Sequence, residues 1–175
     1  MLMTNHVHLL VTPDETGSIS RLMQHVGRQY VQYINKTYRR SGALWEGRHK
    51  SSLVDAENYL LSCYRYIELN PVTACMVDRP EEYPWSSYRS NALAETDTLI
   101  SPHPLFESLA KDKLKRESVY QDLFRSHLTE KTRNDISASI SASRILGSGR
   151  FKEQVEAVLG RKAGQIGRGR PANGG

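Results

Sequence analysis

Hydrophobic and polar residues alternate near the start of the chain, where Val7, Leu9 and Val11 are interleaved with His6 and His8. Residues two apart in a β-strand point to the same face of the sheet. The pattern therefore predicts a strand that turns the three apolar residues to a core and presents the two imidazoles side by side.

A helical pattern follows, from Ser18, the predicted N-cap after Gly17, to about Arg40. Its apolar positions recur at spacings of three and four residues, which predicts a buried face. That face comprises Ile19, Leu22, Met23, Val26, Tyr30, Thr37 and either Tyr33 or Ile34. Cations cover the opposite side, so this helix is either a DNA-facing element or an ordinary amphipathic helix.

A second helix is predicted between Asp55, a suitable N-cap, and Pro71, which cannot continue a helix. An apolar stripe runs along it at Leu60, Cys63, Tyr64 and Ile67. Tyr59, Tyr66 and Asn70 follow the edge of this stripe. Residues four apart in a helix are neighbours, so Tyr66 and Asn70 are predicted to lie close together.

The sequence changes character after Asn91 and predicts a helical annex that reaches residue 160, followed by a basic tail over 161–175. Residues 105–109 and 117–128 read as short amphipathic helices, and 137–143 as a helix cap or hinge. A last helical face is predicted from Phe151, Val155, Val158 and Leu159. The predicted domain boundaries are therefore 1–91, 92–160 and 161–175.

Length and composition predict a cytoplasmic protein with one main domain. The chain has 175 residues, and polar residues interrupt the apolar start at Asn5, His6 and His8, so we expect no signal peptide and no membrane span. Cys63 and Cys75 are too few for a disulfide framework and match no common zinc spacing. We expect both to be reduced and structural.

The net charge of +5 is unevenly distributed. Residues 144–175 contain seven Lys and Arg but two Asp and Glu, whereas acids and bases nearly balance before them. Such a segment attracts phosphates without sequence preference. The alternative is a solvated terminus that contacts no partner.

The candidate chemistry combines the two histidines with the second helix. Imidazoles and an amide oxygen can together hold a divalent ion such as Mg²⁺ or Mn²⁺, and a tyrosine beside that ion can attack a phosphate. His6, His8 and Asn70 would supply the ligands and Tyr66 the nucleophile. The alternative is that the histidines are surface residues and Tyr66 is a packing residue, as most of the nine tyrosines must be.

Four motifs occur in one order, at Met3–Val11, Gly42–Arg48, Tyr66–Val72 and Tyr83–Tyr88. In this order they resemble the REP-associated tyrosine transposases, members of the single-tyrosine HUH transposase superfamily. The resemblance implies an α+β fold with a ferredoxin-like sheet. It also implies that His6, His8 and Asn70 bind a divalent metal and that Tyr66 cleaves single-stranded DNA through a 5′-phosphotyrosine link.

The implied partner is a single-stranded DNA hairpin formed by repetitive extragenic palindromes. Residues expected to contact DNA are cations together with one aromatic residue, which suits stacking on an unpaired base. They are Arg39, Arg40, Trp45, Arg48, Lys50, and Arg168 and Arg170 of the basic tail. Trp45 has the alternative of filling the core.

In the family, a strand, a helix and another strand precede the histidine motif, which here begins at Asn5. We therefore expect an N-terminally truncated catalytic domain with an incomplete sheet, an unstable or self-associating chain, and a homodimer as one open outcome. The alternative function is a catalytically inactive, truncated DNA-binding remnant. A small zinc-binding or RNA-binding domain would leave Tyr66 and Asn70 without a role.

Overall fold

The computed structural model describes residues 1–160 and 162, and these are mostly helical. The helices are α1 (Ser18–Thr37), α2 (Ala56–Glu68), α3 (Asn70–Thr73), α4 (Tyr88–Ala92), α5 (Pro104–Glu107), α6 (Lys113–Asp122), α7 (Glu130–Ser141) and α8 (Gly149–Leu159), with a 3₁₀ turn at Pro80–Glu82. No helix in this described part is long and apolar enough to cross a membrane. The chain forms two compact units, Leu9–Lys50, and Met1–His8 together with the chain from Ser51 onward.

The predicted strand through His6 and His8 is wrong. Bridges between strand-like residues are limited, over residues 1–160 and 162, to an antiparallel one joining Leu2 to Val7 and a parallel one joining Val54 to Leu146. A strand needs a ladder of hydrogen bonds to a neighbour, and one bridge does not make a ladder. The ferredoxin-like sheet is therefore not confirmed, and the α+β prediction gives way to a mostly helical fold.

Residues 1–8 instead form a tight turn. The Met3 N–H donates to the His6 carbonyl at 2.9 Å, and the His8 N–H donates to the Met1 carbonyl at 3.0 Å. Val7, Leu9 and Val11 were predicted to face a core, but they are 42%, 51% and 43% exposed. Without a paired sheet, nothing directs these side chains to a common buried face.

The main core of the larger unit is aromatic. Tyr88, Ala92, Phe106 and Tyr120 are buried together, and the Phe106 and Tyr120 rings meet edge to face at 5.2 Å. Tyr64 of α2 packs against this cluster. Helices from both sides of Asn91 thus share one core, while the domain boundaries at residues 91 and 160 stay predictions.

Helix α2 begins and ends close to the predicted residues, because Asp55 occupies the N-cap position and Pro71 follows within three residues of Glu68. The Asp55 carboxylate caps no N–H of α2 but accepts from Asn58 Nδ2 at 2.9 Å and from the Ser148 N–H and hydroxyl at 3.3 Å. Burial alone would raise the pKa of Asp55, but these bonds outweigh it and lower the pKa. One carboxylate therefore joins the start of α2 to the start of α8.

Helix α1 lies in the Leu9–Lys50 unit and begins after Gly17, whose φ of +82° is readily adopted only by glycine. The predicted cap, Ser18, is instead the first helical residue, and its hydroxyl donates to the Glu15 carbonyl at 2.9 Å. The predicted buried face is wrong, since no residue of α1 is buried. Tyr30 contacts the ring of Trp45, with centroids 5.8 Å apart.

Candidate active site

The two histidines of the N-terminal turn lie against each other. Their Nε2 atoms are 3.1 Å apart, and the ring centroids are 4.8 Å apart at an interplanar angle of 87°. His6 is exposed, whereas His8 is half-buried. Although the strand is absent, the turn still brings the two imidazoles together.

The Tyr83–Tyr88 motif holds this turn in place. The Tyr83 hydroxyl donates to the Leu2 carbonyl at 2.7 Å, and the Leu2 N–H donates to the Trp85 carbonyl at 2.8 Å. Tyr83 is buried, so its bond to Leu2 is partly shielded from water. The sequence alone gives this motif no structural role, because a contact over 81 residues leaves no local pattern.

Helices α2 and α3 bring the other two residues to His8. Pro71 has no N–H to continue α2, yet a further helical turn follows directly as α3, so Asn70 stays one turn below Tyr66. The Asn70 Nδ2 atom lies 3.0 Å from His8 Nε2. The Tyr66 and His8 ring centroids are 6.0 Å apart at an angle of 85°. His6, Tyr66 and Asn70 therefore converge around His8.

Both imidazoles contact a neighbouring amide side chain. Asn5 Oδ1 lies 2.7 Å from His6 Nδ1, and Asn70 Nδ2 lies 3.0 Å from His8 Nε2. The two Nε2 atoms lie 3.1 Å apart, so His6 can donate a hydrogen bond to His8, or both nitrogens can face one bound cation.

His8 is neutral at ordinary pH. Burial lowers the pKa of His8 to about 4, with further lowering by the positive charges of His6 and the amino terminus. A neutral imidazole offers the lone pair that a metal ligand requires. Burial thus keeps the His8 imidazole in the neutral form that can bind a metal ion.

The side chains of His6, His8 and Asn70 are of the types that bind a divalent metal ion. Two imidazole nitrogens face one another, and a 180° turn of the Asn70 amide would add an oxygen, which Mg²⁺ and Mn²⁺ favour. Residues 1–160 and 162 contain no cluster of three or more His, Cys, Asp and Glu side chains that could hold a metal ion. The present set has two such residues, His6 and His8, and its third donor is an amide. His6, His8 and Asn70 are therefore the residues that would hold the ion.

Tyr64, the nearest competitor of Tyr66 on α2, occupies a different environment. Its ring packs on Phe106 at 6.0 Å and on Tyr120 at 6.4 Å, within the aromatic core. Burial raises the pKa of Tyr64, which makes its phenolate harder to form. Tyr66, in contrast, borders His8.

The predicted DNA-contacting residues fall into two groups. Five lie in the Leu9–Lys50 unit and are exposed: Arg39, Arg40, Trp45, Arg48 and Lys50. This unit contains seven Lys and Arg against three Asp and Glu, a net charge of +4. Arg168 and Arg170 lie outside the described residues.

Trp45 does not fill a core, since it is 42% exposed beside Tyr30. An exposed indole of this kind offers a face on which an unpaired base can stack.

Of three comparisons with known proteins, one found a match, and it covers the candidate site. No curated protein and no solved structure matches the chain. Residues 1–70, however, match the family model described as "Transposase IS200 like". The matched segment contains His6, His8, Tyr66 and Asn70, so this part of the chain is similar to the IS200-like transposases.

Proposed function

We propose that this protein is a transposase that cleaves and rejoins single-stranded DNA through a covalent bond to Tyr66, with Mg²⁺ or Mn²⁺ as cofactor. The observation that carries the proposal is the convergence of His6, His8 and Asn70 beside the Tyr66 ring. All four residues lie within the segment that matches the IS200-like transposases.

The proposed reaction conserves the phosphodiester. Tyr66 releases its phenolic proton to water, and its oxygen forms a bond to the backbone phosphorus. The bond from phosphorus to the 3′ oxygen breaks, and that oxygen takes up a proton to become a free 3′ hydroxyl. Attack of another 3′ hydroxyl on the phosphotyrosine reverses the step and joins two DNA strands, so no nucleotide triphosphate is consumed.

The protein's own residues orient this chemistry. A divalent ion, when bound, would withdraw charge from the phosphate and so favour attack by a weak nucleophile. Asn5 contacts His6 Nδ1 and so orients the ring with Nε2 towards His8. Asn70 and Tyr66 are one helical turn apart, so the phosphate that contacts the ligand set is also within reach of the phenol.

The proposed substrate is a hairpin of a repetitive extragenic palindrome, as the order of the four motifs suggests. Cations of the Leu9–Lys50 unit would bind its phosphates, and Trp45 would stack on an unpaired base. Phosphate contacts hold the strand, whereas choice among hairpins depends on contacts to the bases.

Covalent capture tests the proposal. Hairpin DNA labelled at its 3′ end is incubated with the protein and Mn²⁺, and the mixture is separated under denaturing conditions. We expect a labelled protein band whose tryptic peptide carries the DNA on Tyr66. Tyr66→Phe should abolish the band, and Tyr64→Phe is the matched control because it removes a hydroxyl from the same helix.

Two results would overturn the proposal. An adduct that survives Tyr66→Phe but not Tyr64→Phe would assign the nucleophile to Tyr64. Tight hairpin binding without any adduct, in Mg²⁺ or Mn²⁺, would favour the inactive DNA-binding alternative.

A further inference from the structure

Glu68 is a fully buried carboxyl group between the two site residues of the helical segment. It is the last residue of α2, with 0% of its surface exposed, and it lies two residues from both Tyr66 and Asn70. Its oxygens accept three hydrogen bonds, from Ser87 Oγ at 2.6 Å, Asn91 Nδ2 at 2.8 Å and Tyr120 OH at 2.6 Å.

These donors come from different parts of the larger unit. Ser87 is the N-cap position of α4, Asn91 lies within α4, and Tyr120 lies in α6. A buried carboxyl is costly unless its oxygens are hydrogen-bonded, and three directed bonds leave it little freedom to rotate. The last turn of α2 is therefore held against α4 and α6 by one side chain.

The segment that binds Glu68 also binds the histidine turn. Ser87 donates to Glu68, while Tyr83 and Trp85, just before it, pair with both backbone groups of Leu2. A stretch of five residues thus contacts the turn that carries His8 on one side and the helix end that carries Tyr66 on the other. This segment therefore supports the direct contact between Asn70 and His8 from both sides.

We propose that Glu68 is a positioning residue which, through Ser87 and the Tyr83–Trp85 segment, holds Tyr66 and Asn70 at their distances from His8. This inference rests on the proposed function, because its purpose is to assemble the metal ligands and the nucleophile. The hydrogen bonds of Glu68 go to Ser87, Asn91 and Tyr120 and to none of the predicted ligands, so its effect is transmitted through the helix end and the turn. Substitution of a residue that orients a metal ligand without binding the metal commonly lowers metal affinity or activity by about 10- to 100-fold.

The test compares Glu68→Gln, Ser87→Ala and Tyr83→Phe with Glu117→Gln. Glu117 is the matched control, since it is another buried glutamate, on α6, and its Oε1 atom has no hydrogen-bond partner in the described structure. Three quantities are measured on full-length protein at a temperature where circular dichroism shows each variant folded. They are the Kd for Mn²⁺, the rate of adduct formation, and the ¹⁵N shift of His8 Nε2 without metal.

We expect the three test variants to weaken Mn²⁺ binding and slow adduct formation by about 10-fold or more. The His8 Nε2 shift should move, because the bond from Asn70 is displaced. Glu117→Gln should leave all three quantities at wild-type values. A merely structural role would lower stability without changing these properties of the folded protein.

Folded variants with wild-type Mn²⁺ affinity, adduct rate and His8 shift would overturn the inference. If Glu68→Gln does not fold, Ser87→Ala and Tyr83→Phe decide, since each removes one hydroxyl. If the wild-type protein forms no adduct, the proposed function fails, but Mn²⁺ binding still tests Glu68. If it binds no Mn²⁺ either, an unchanged His8 shift in the variants overturns the inference and a displaced one supports it.

Discussion

At the scale of single residues, substitution of His6 or His8 should affect DNA cleavage but not DNA binding. We expect His6→Ala and His8→Ala to reduce adduct formation by about 100-fold or more, because each removes a predicted metal ligand. Hairpin affinity should stay within about threefold, since phosphate contacts are made elsewhere. A filter-binding assay and the covalent capture assay, run side by side, measure the two effects.

His127→Ala is the control for these variants, because His127 is an exposed histidine outside the N-terminal turn. It should change neither quantity. Equal losses of binding and cleavage in His8→Ala would instead identify the histidine pair as structural.

Glu68 also predicts a pH dependence of stability. Burial raises its pKa to about 7, although the bonds from Ser87, Tyr120 and Asn91 lower it. The unfolded carboxyl has a pKa of about 4.3, so the native state binds the proton more tightly. Stability from this group is therefore present below about pH 4 and is lost as the pH rises through about 7.

Denaturant unfolding of the wild type and Glu68→Gln at pH 5 and pH 8 measures this effect. The wild type should lose on the order of 2 kcal/mol relative to the variant between these pH values. An identical pH profile for both proteins would show that Glu68 does not titrate in this range.

At the scale of secondary-structure elements, the close approach of α8 to the start of α2 requires a residue without a side chain at Gly147. A Cβ at this position would lie 2.6 Å from Phe151 Cδ1 and 2.7 Å from Asp55 Cβ. Gly147→Ala should therefore destabilise the fold by about 1 to 3 kcal/mol, as overpacking does. Gly149→Ala is the control, because a Cβ there meets nothing within 4 Å.

Urea unfolding measures both alanine variants. A wild-type midpoint for Gly147→Ala would contradict the close approach of α8 to Asp55. Equal destabilisation by the two substitutions would indicate a general loss of glycine and no local clash.

Helices were easier to predict than their burial. The predictions for 105–109 and 117–128 fall near α5 and α6, and Asp55 and Pro71 bracket α2 as expected. Residues 137–143 were predicted as a cap or hinge, yet α7 extends over Glu130–Ser141 and begins where the Thr129 hydroxyl accepts from the Thr132 N–H. Small residues lack an apolar stripe, so their helix depends on this cap and on Ile136, which is buried.

At the scale of the whole molecule, the distribution of charge should govern how DNA affinity depends on salt. Arg39, Arg40, Arg48 and Lys50 lie in the unit with a net charge of +4. If all four contact phosphates, changing them to Gln should reduce the slope of log affinity against log salt by about 3, since each contact on single-stranded DNA contributes about 0.7. Fluorescence anisotropy at several salt concentrations measures the slope.

A charge-matched control uses four exposed cations elsewhere, changed to Gln: Lys111, Lys113, Lys115 and Arg133. This variant should keep nearly the wild-type slope. Equal reductions in both variants would show that net charge, and no defined surface, governs binding.

The sequence by itself determined the local features of this protein. Helix α2, its ends and the neighbourhood of Tyr66 and Asn70 follow from spacings of three and four residues, because helical hydrogen bonds join residues close in the chain. The four motifs also predicted His6, His8, Tyr66 and Asn70 as site residues, and these four lie in the segment that matches the IS200-like transposases.

Only the tertiary structure decided which distant groups meet. His8 contacts Asn70 across 62 residues, and Tyr120 reaches Glu68 across 52. The strand was mispredicted for the same reason, since alternation describes one chain segment, whereas a sheet requires a second one to pair with it. Nothing in the pattern around Glu68 marks a charged residue as buried, because its burial depends on donors that α4 and α6 supply.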